Sequence, residues 1–303
     1  MTILSVKNLY KKFSNPDFIA VDGISFDLQK GQVLGFLGPN GAGKTTTIQM
    51  LLSTMTPTSG EIIYFGKNLA DHRSEILSKV GFASTYVSLP GKLTVYENLF
   101  FYGQLYGVSR IILKDRLETL LKKFDMWHIK DRRAGTLSAG QMTRVMLIKA
   151  FCIEPQVMLL DEPTASLDPD VAQEVLHFIK EQQKHQGVSI LFTSHKMDEV
   201  AQICDSVLVL KKGSIIAHDT PERLARLAGL ARVELIVENP QEVLDWCIKN
   251  GIQAHAEGCL VSAKFEEHAI ADYLIRLAQA GLTYRQITID KPTLEDYFLQ
   301  ISR

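Results

Sequence analysis

Short apolar runs alternate with longer segments whose apolar residues return every three or four positions, up to about residue 225. QVLGFL, VGFAS, VMLL and VSILFT are the short runs. Bounded by glycines and polar residues and too short for helices, they predict buried strands. TTTIQMLLSTM, MTRVMLIKAF and KMDEVAQICD carry the helical period instead, as does the aromatic-rich stretch from LTVYENLFFYGQLYG to KKFDMWHIKDRRAG. KKGSIIAHDTPERLARLAG reads as a hairpin turning at Gly213 and then a helix, after which the pattern resets. ARVELIVE, CLVSAKF and LTYRQITI predict strands, while EVLDWCIKN, EEHAIADYLIRLAQAG and TLEDYFLQI predict helices, together a small α+β unit.

The 303 residues suit one large domain, or a main domain with an appendage, and can bury a full core. A formal charge of -1 leaves no global field to recruit nucleic acid or an anionic membrane. The apolar runs fall well short of the roughly 20 residues a membrane-spanning helix needs, and MTILSVKNLYKKF lacks the apolar centre of a signal peptide. A cytoplasmic chain is the expectation. Cys152, Cys204, Cys247 and Cys259 are scattered without the close spacing of zinc or redox motifs, and read as reduced packing residues.

Candidate chemistry begins at GPNGAGKTT: Gly38, Pro39, Asn40, Gly41, Ala42, Gly43, Lys44, Thr45 and Thr46. The spacing fits G-x-x-x-x-G-K-[ST], between a predicted strand and a predicted helix. Glycines let backbone N–H groups turn inward around phosphate oxygens at a helix N-terminus whose dipole favours anions. Lys44 is placed to reach β and γ phosphates, and Thr45 to offer a hydroxyl to Mg²⁺.

VMLLDEP ends a buried strand on two acids, Asp161 and Glu162. Neighbouring strand residues face opposite ways, so both acids address one site only if the strand breaks there, and Pro163 supplies the break. Asp161 is the candidate Mg²⁺ holder and Glu162 the group that orients and polarises an attacking water. His195 ends the strand of VSILFTSH, where open parallel sheets bind ligands; it reads either as a γ-phosphate contact or as a structural histidine.

These pieces, with LSAGQ at residues 137–141 and ASLD at 165–168, resemble in their order the ATP-binding subunits of ABC transporters over about residues 1–225. GPNGAGKTT matches the Walker A loop, LSAGQ the signature LSGGQ, VMLLDE the Walker B strand with its catalytic glutamate, ASLD the D-loop and His195 the switch histidine. The resemblance implies an α/β phosphate-loop core over residues 1–227, a helical subdomain inserted at about 88–152, and an accessory domain over 228–303. It implies ATP and Mg²⁺ as cofactors. It also implies a head-to-tail dimer, simplest as a homodimer, in which Ser138, Ala139, Gly140 and Gln141 close over ATP held by the other subunit, with Asp168 along the seam. Ala139 replaces the usual first glycine, which the loop tolerates if no positive φ is needed there.

Phe13 aligns with the aromatic that stacks on adenine, and Phe18 is the competing choice. Thr85 stands where the family usually has a glutamine that touches Mg²⁺; it is shorter and stiffer, so either a water bridges the gap or this edge is weakened. Of Tyr96, Phe100, Phe101, Tyr102 and Tyr106, a minority is expected to face a membrane permease and the rest to pack. The ending PTLEDYFLQISR resembles the tail of daunorubicin-exporter subunits, which pair with separate permeases. No nucleic-acid partner is expected. The alternative is a soluble ABC ATPase with a regulatory role, although the chain has neither the second cassette nor the coiled-coil insertion common in such proteins.

Overall fold

The computed structural model describes residues 1–84 and 89–302, which form two compact units, Met1–Thr220 and Pro221–Arg303. In the first, β1 (Thr2–Ser14) and β2 (Asp17–Gln29) make a long hairpin, followed by β3 (Val33–Leu37), α1 (Lys44–Leu51), β4 (Ser59–Tyr64), β5 (Lys67–Asn68), α2 (Arg73–Leu77) and β6 (Val80–Ser84). A helical layer comes next: α3 (Val95–Leu105), α4 (Arg110–Lys123) and α5 (Ala139–Phe151). The chain then returns through β7 (Val157–Asp161), α6 (Pro169–Gln186), β8 (Ser189–Thr193), α7 (Met197–Ile203), β9 (Ser206–Lys211) and β10 (Ser214–Asp219). This is the expected α/β architecture.

One sheet of this unit runs β10-β9-β3-β8-β7-β6, parallel apart from the β9–β10 hairpin. β3, β7 and β8 are buried at every position, as strands covered on both faces must be. A second, antiparallel sheet runs β2-β1-β4-β5, and both sheets contribute to one apolar core. The order of the parallel strands decides which loops meet at the sheet's C-terminal edge. The strand that leads into the phosphate loop, β3, and the strand that ends in the two acids, β7, are not neighbours; β8 lies between them.

Local chemistry sets the helix ends. Asp168 is the N-cap residue of α6 with Pro169 at its first position, and Gly187 closes it at φ +66°, the left-handed conformation glycine adopts most cheaply. α3 begins at a reciprocal cap in which Thr94 and Glu97 each bond the other's backbone N–H.

The second unit contains α8 (Pro221–Leu227), β11 (Ala231–Ile236), α9 (Pro240–Lys249), β12 (Ala254–Glu257), β13 (Leu260–Phe265), α10 (Ile270–Gln279), β14 (Gln286–Asp290) and α11 (Leu294–Ser302). Its all-antiparallel sheet runs β12-β13-β11-β14. With helices in the β11-α9-β12 and β13-α10-β14 crossovers, that is the ferredoxin-like split βαβ arrangement. β12, AHAE, was not expected from the sequence because it lacks β-branched or aromatic residues. α8, expected within residues 1–227, belongs to this unit: it packs on α11, and Leu224 is buried.

Candidate nucleotide site

Gly41 and Gly43 hold φ +80° and +99°, where side-chain-bearing residues are strained. At Gly43 a Cβ would stand 2.4 Å from the Ala20 carbonyl, and at Gly38 one would stand 2.5 Å from the Leu210 carbonyl. The loop is thus clamped between β2 and β9, and only glycine fits either contact. Lys44 Nζ donates to the carbonyls of Gly38 at 2.5 Å and Pro39 at 3.2 Å. Desolvation lowers its pKa, opposed by the charges of Glu162 and Asp161.

Parallel register sets Asp161 level with Thr193 on β8. Asp161 Oδ1 accepts from the Thr193 hydroxyl at 2.8 Å, and Oδ2 from the Thr45 hydroxyl at 3.2 Å. Burial raises the pKa of Asp161, while these two hydroxyls pull it down. Carboxylate and hydroxyl oxygens this close are hard donors of the kind Mg²⁺ takes.

The break after β7 comes one residue earlier than expected. Glu162 itself turns, at φ +51°, with its N–H 3.1 Å from both the carbonyl and the hydroxyl oxygen of Thr193. A left-handed non-glycine residue costs on the order of 1 kcal/mol or more. Glu162 Oε2 then lies 3.2 Å from His195 Nδ1, with the glutamate side chain 13 % and the histidine 55 % exposed. Thr193, absent from the sequence-based candidates, organises both acids; its signal was a hydroxyl two residues before a strand-end histidine.

The phosphate loop, Asp161 and Glu162 line a single cleft of about 950 Å³. Of the two candidate aromatics, Phe18 lines the cleft and Phe13 does not. The two rings stack at 5.1 Å across the β1–β2 register. Tyr106 and Lys149 also reach the cleft. Lys149 Nζ sits 5.0 Å over the Tyr102 ring, and burial lowers its pKa. Of the five aromatics of the helical layer, Phe101 and Tyr106 are exposed, while Tyr96, Phe100 and Tyr102 are partly buried. Thr85 lies outside the described residues.

Ser138 caps α5 through a reciprocal pair: its hydroxyl accepts from the Gln141 N–H at 3.2 Å, and the Gln141 side chain accepts from the Ser138 N–H at 3.1 Å. Ala139 is the first residue of that helix and needs no positive φ. None of residues 137–141 lines the cleft that holds the phosphate loop. Ser138 and Ala139 face solvent.

The sequence model described as ABC transporter matches residues 21–165. The Nod factor export ATP-binding protein I of Rhizobium sp. (strain N33) is 31% identical over 96% of this chain and 94% of its own length. The chain belongs to the ATP-binding subunits of ABC transporters. Another ABC subunit, the doxorubicin resistance ATP-binding protein DrrA of Mycobacterium tuberculosis, is 30% identical over 79% of this chain and 71% of its own length. A solved ATP-binding subunit of an ABC transporter superposes with a TM-score of 0.69 at 29% identity, covering 75% of this chain and 93% of that one. Like its family, the ABC subunit described here binds ATP and is an ATPase. No helix among its described residues is long and apolar enough to cross a membrane.

Proposed function

We propose that this ATPase powers an exporter, through head-to-tail pairing of two cassettes on the cytoplasmic face of a membrane permease. One observation carries the reading. The cap at Ser138–Gln141 lies outside the cleft of its own chain, with Ser138 and Ala139 facing solvent, yet it presents a positive helix end suited to a phosphate. A second cassette, simplest as a second copy, supplies the phosphate for it to meet. Resemblance to the Nod factor export and doxorubicin resistance subunits supports outward transport.

Within one such composite site, the backbone N–H groups of the phosphate loop and Lys44 hold the β and γ phosphates, and Phe18 stacks on the base. Thr45 and Asp161 would hold Mg²⁺, which would supply positive charge to offset that of the phosphates. Glu162 orients the attacking water and takes its proton as oxygen bonds to the γ phosphorus and the bond to the β-phosphate oxygen breaks. His195 steadies Glu162 and donates to the γ phosphate. The partner's Ser138 hydroxyl and α5 N-terminus stabilise the same charge from the other side. Phe101, exposed and outside the cleft, is the aromatic offered to the permease.

Purification of the Glu162→Gln protein from gently solubilised membranes, with ATP and Mg²⁺, tests the reading. A stoichiometric multispanning protein supports it. Only soluble partners, or none, would instead favour a cytosolic regulatory ATPase.

A further inference from the structure

One buried carboxylate of the first unit has no part in the chemistry of that composite site. Glu199, on the first turn of α7, has a side chain only 6 % exposed. Its Oε2 accepts from the Thr164 hydroxyl at 2.6 Å and the Ser194 hydroxyl at 2.8 Å, and its Oε1 lies 3.1 Å from Lys196 Nζ. Thr164 and Ser194 are themselves buried. Taking a carboxylate out of water is costly unless hydrogen bonds and an opposite charge compensate, and here they do. An apolar side chain would fill the same space without that cost. What the carboxylate adds is a join between two turns.

The first turn carries His195. Ser194 precedes it, and the same Ser194 hydroxyl that donates to Glu199 accepts from the Lys196 N–H at 3.0 Å, so the histidine is bracketed on both sides. The second turn comes directly after Glu162. There the Ala165 N–H reaches the Glu162 carbonyl at 3.3 Å, and the Leu167 N–H reaches the Thr164 carbonyl at 3.1 Å. This turn delivers Asp168 to the start of α6 and supports the signature loop. A Cβ at Gly140 would stand 3.3 Å from the Ser166 carbonyl and 3.6 Å from the Leu167 side chain.

We infer that Glu199 is a positioning residue: one carboxylate oxygen locks the His195 turn to the 164–167 turn, so that the histidine of a chain's own site and the signature loop serving the partner's site hold a common register. The inference rests on the composite-site reading of the proposed function. It assigns Glu199 no contact with nucleotide. Its loss therefore acts on the transition state more than on ATP binding.

The test is steady-state kinetics of the full chain with MgATP. Glu199→Ala is expected to lower kcat about 10- to 100-fold while KM stays within about threefold, the pattern of a lost transition-state interaction. Glu199→Gln keeps an acceptor oxygen for both hydroxyls and is expected to stay within about threefold of wild type in kcat. Thr164→Val and Ser194→Ala form a cycle that serves even if Glu199→Ala does not fold. Because both hydroxyls bind one oxygen, the double variant should lose less than the product of the two single losses. Wild-type kcat in Glu199→Ala, equal damage in Gln and Ala, or strictly multiplicative losses in the cycle would each overturn the inference. Glu162→Gln, run alongside, separates the two readings. If it turns over at the wild-type rate, the composite-site mechanism fails; if it is inactive while Glu199→Ala is fully active, only the role of Glu199 fails.

Discussion

The two units bury different things. Every buried Lys, Asp, Glu, Asn, Ser or Thr side chain among the described residues lies in Met1–Thr220, including Lys44, Asp161, Thr164, Thr193, Ser194 and Glu199. The core of Pro221–Arg303 is built from Val233, Leu235, Val243, Val261, Leu277 and similar apolar residues, with Tyr273 and Cys247 its nearest approach to polarity. Both are mixed α/β structures of ordinary topology, so fold class does not explain the contrast. Buried polar groups cost free energy unless fully paired, and they stay where paired geometry does chemistry. Polarity of the core thus separates the unit that carries the phosphate loop and the acid pair from the other.

That contrast can be broken most directly at Glu162. Glu162→Gln should lower ATP turnover about 100- to 10,000-fold, the range for a positioned general base, while filter binding shows ATP still held. Near-wild-type turnover would remove the central polar group from the mechanism.

Asp161→Asn sharpens the contrast, because here function and stability should move in opposite directions. Turnover should fall about 100-fold or more for loss of a charge-stabilising group. The nucleotide-free protein should become more stable at pH 7, because desolvation raises the pKa of the buried carboxylate. The sign comes from linkage: a folded pKa above the unfolded one gives stability that is present at low pH and lost as pH rises through the carboxylate range. Asparagine removes that loss, so its advantage over wild type in urea melts should shrink from pH 7 toward pH 4.

Leu277→Ala tests the other side. Leu277 is fully buried in the second unit, and its truncation should cost about 2–5 kcal/mol. Denaturant unfolding of that unit should shift accordingly, while turnover per folded molecule is retained. Lost turnover in fully folded protein would mean that the apolar unit shares in the chemistry.

The smallest effect concerns the aromatic pair. Phe18→Ala should raise the KM for ATP about three- to tenfold, the scale of one aromatic contact, and Phe13→Ala less, because Phe13 does not line the cleft. The reverse order would return the base contact to Phe13.

Which of these residues the sequence revealed depended on how local their signals are. Gly38, Gly41, Gly43, Lys44 and Thr45 share one loop, so spacing alone exposed them, while Ser138 and Gln141 were found through the contiguous LSAGQ that resembles the family signature. Thr193 and Glu199 carry no such signal. Thr193 matters because β8 lies between β3 and β7, which sets it level with Asp161. Glu199 matters because it meets Thr164, 35 positions earlier in the chain. Phe13 and Phe18 are a case between: the aromatic-bearing hairpin was legible, but the member facing the cleft was not, since cross-strand partners differ only in which surface the neighbouring loops leave open.

Taken alone, the sequence determined the parallel strands, the phosphate loop, the acid pair at a strand end, the signature cap and the break into a second unit. Each of these is written in contiguous residues, through period, glycine placement and capping chemistry. Tertiary structure alone decided that Glu162 rather than Pro163 makes the turn, that Phe18 lines the cleft, that α8 belongs with α11, and that Thr193 and Glu199 tie separate loops together. The reason is physical: these outcomes depend on strand order and on hydrogen bonds between residues far apart in the chain, which form only once the sheet has brought them side by side.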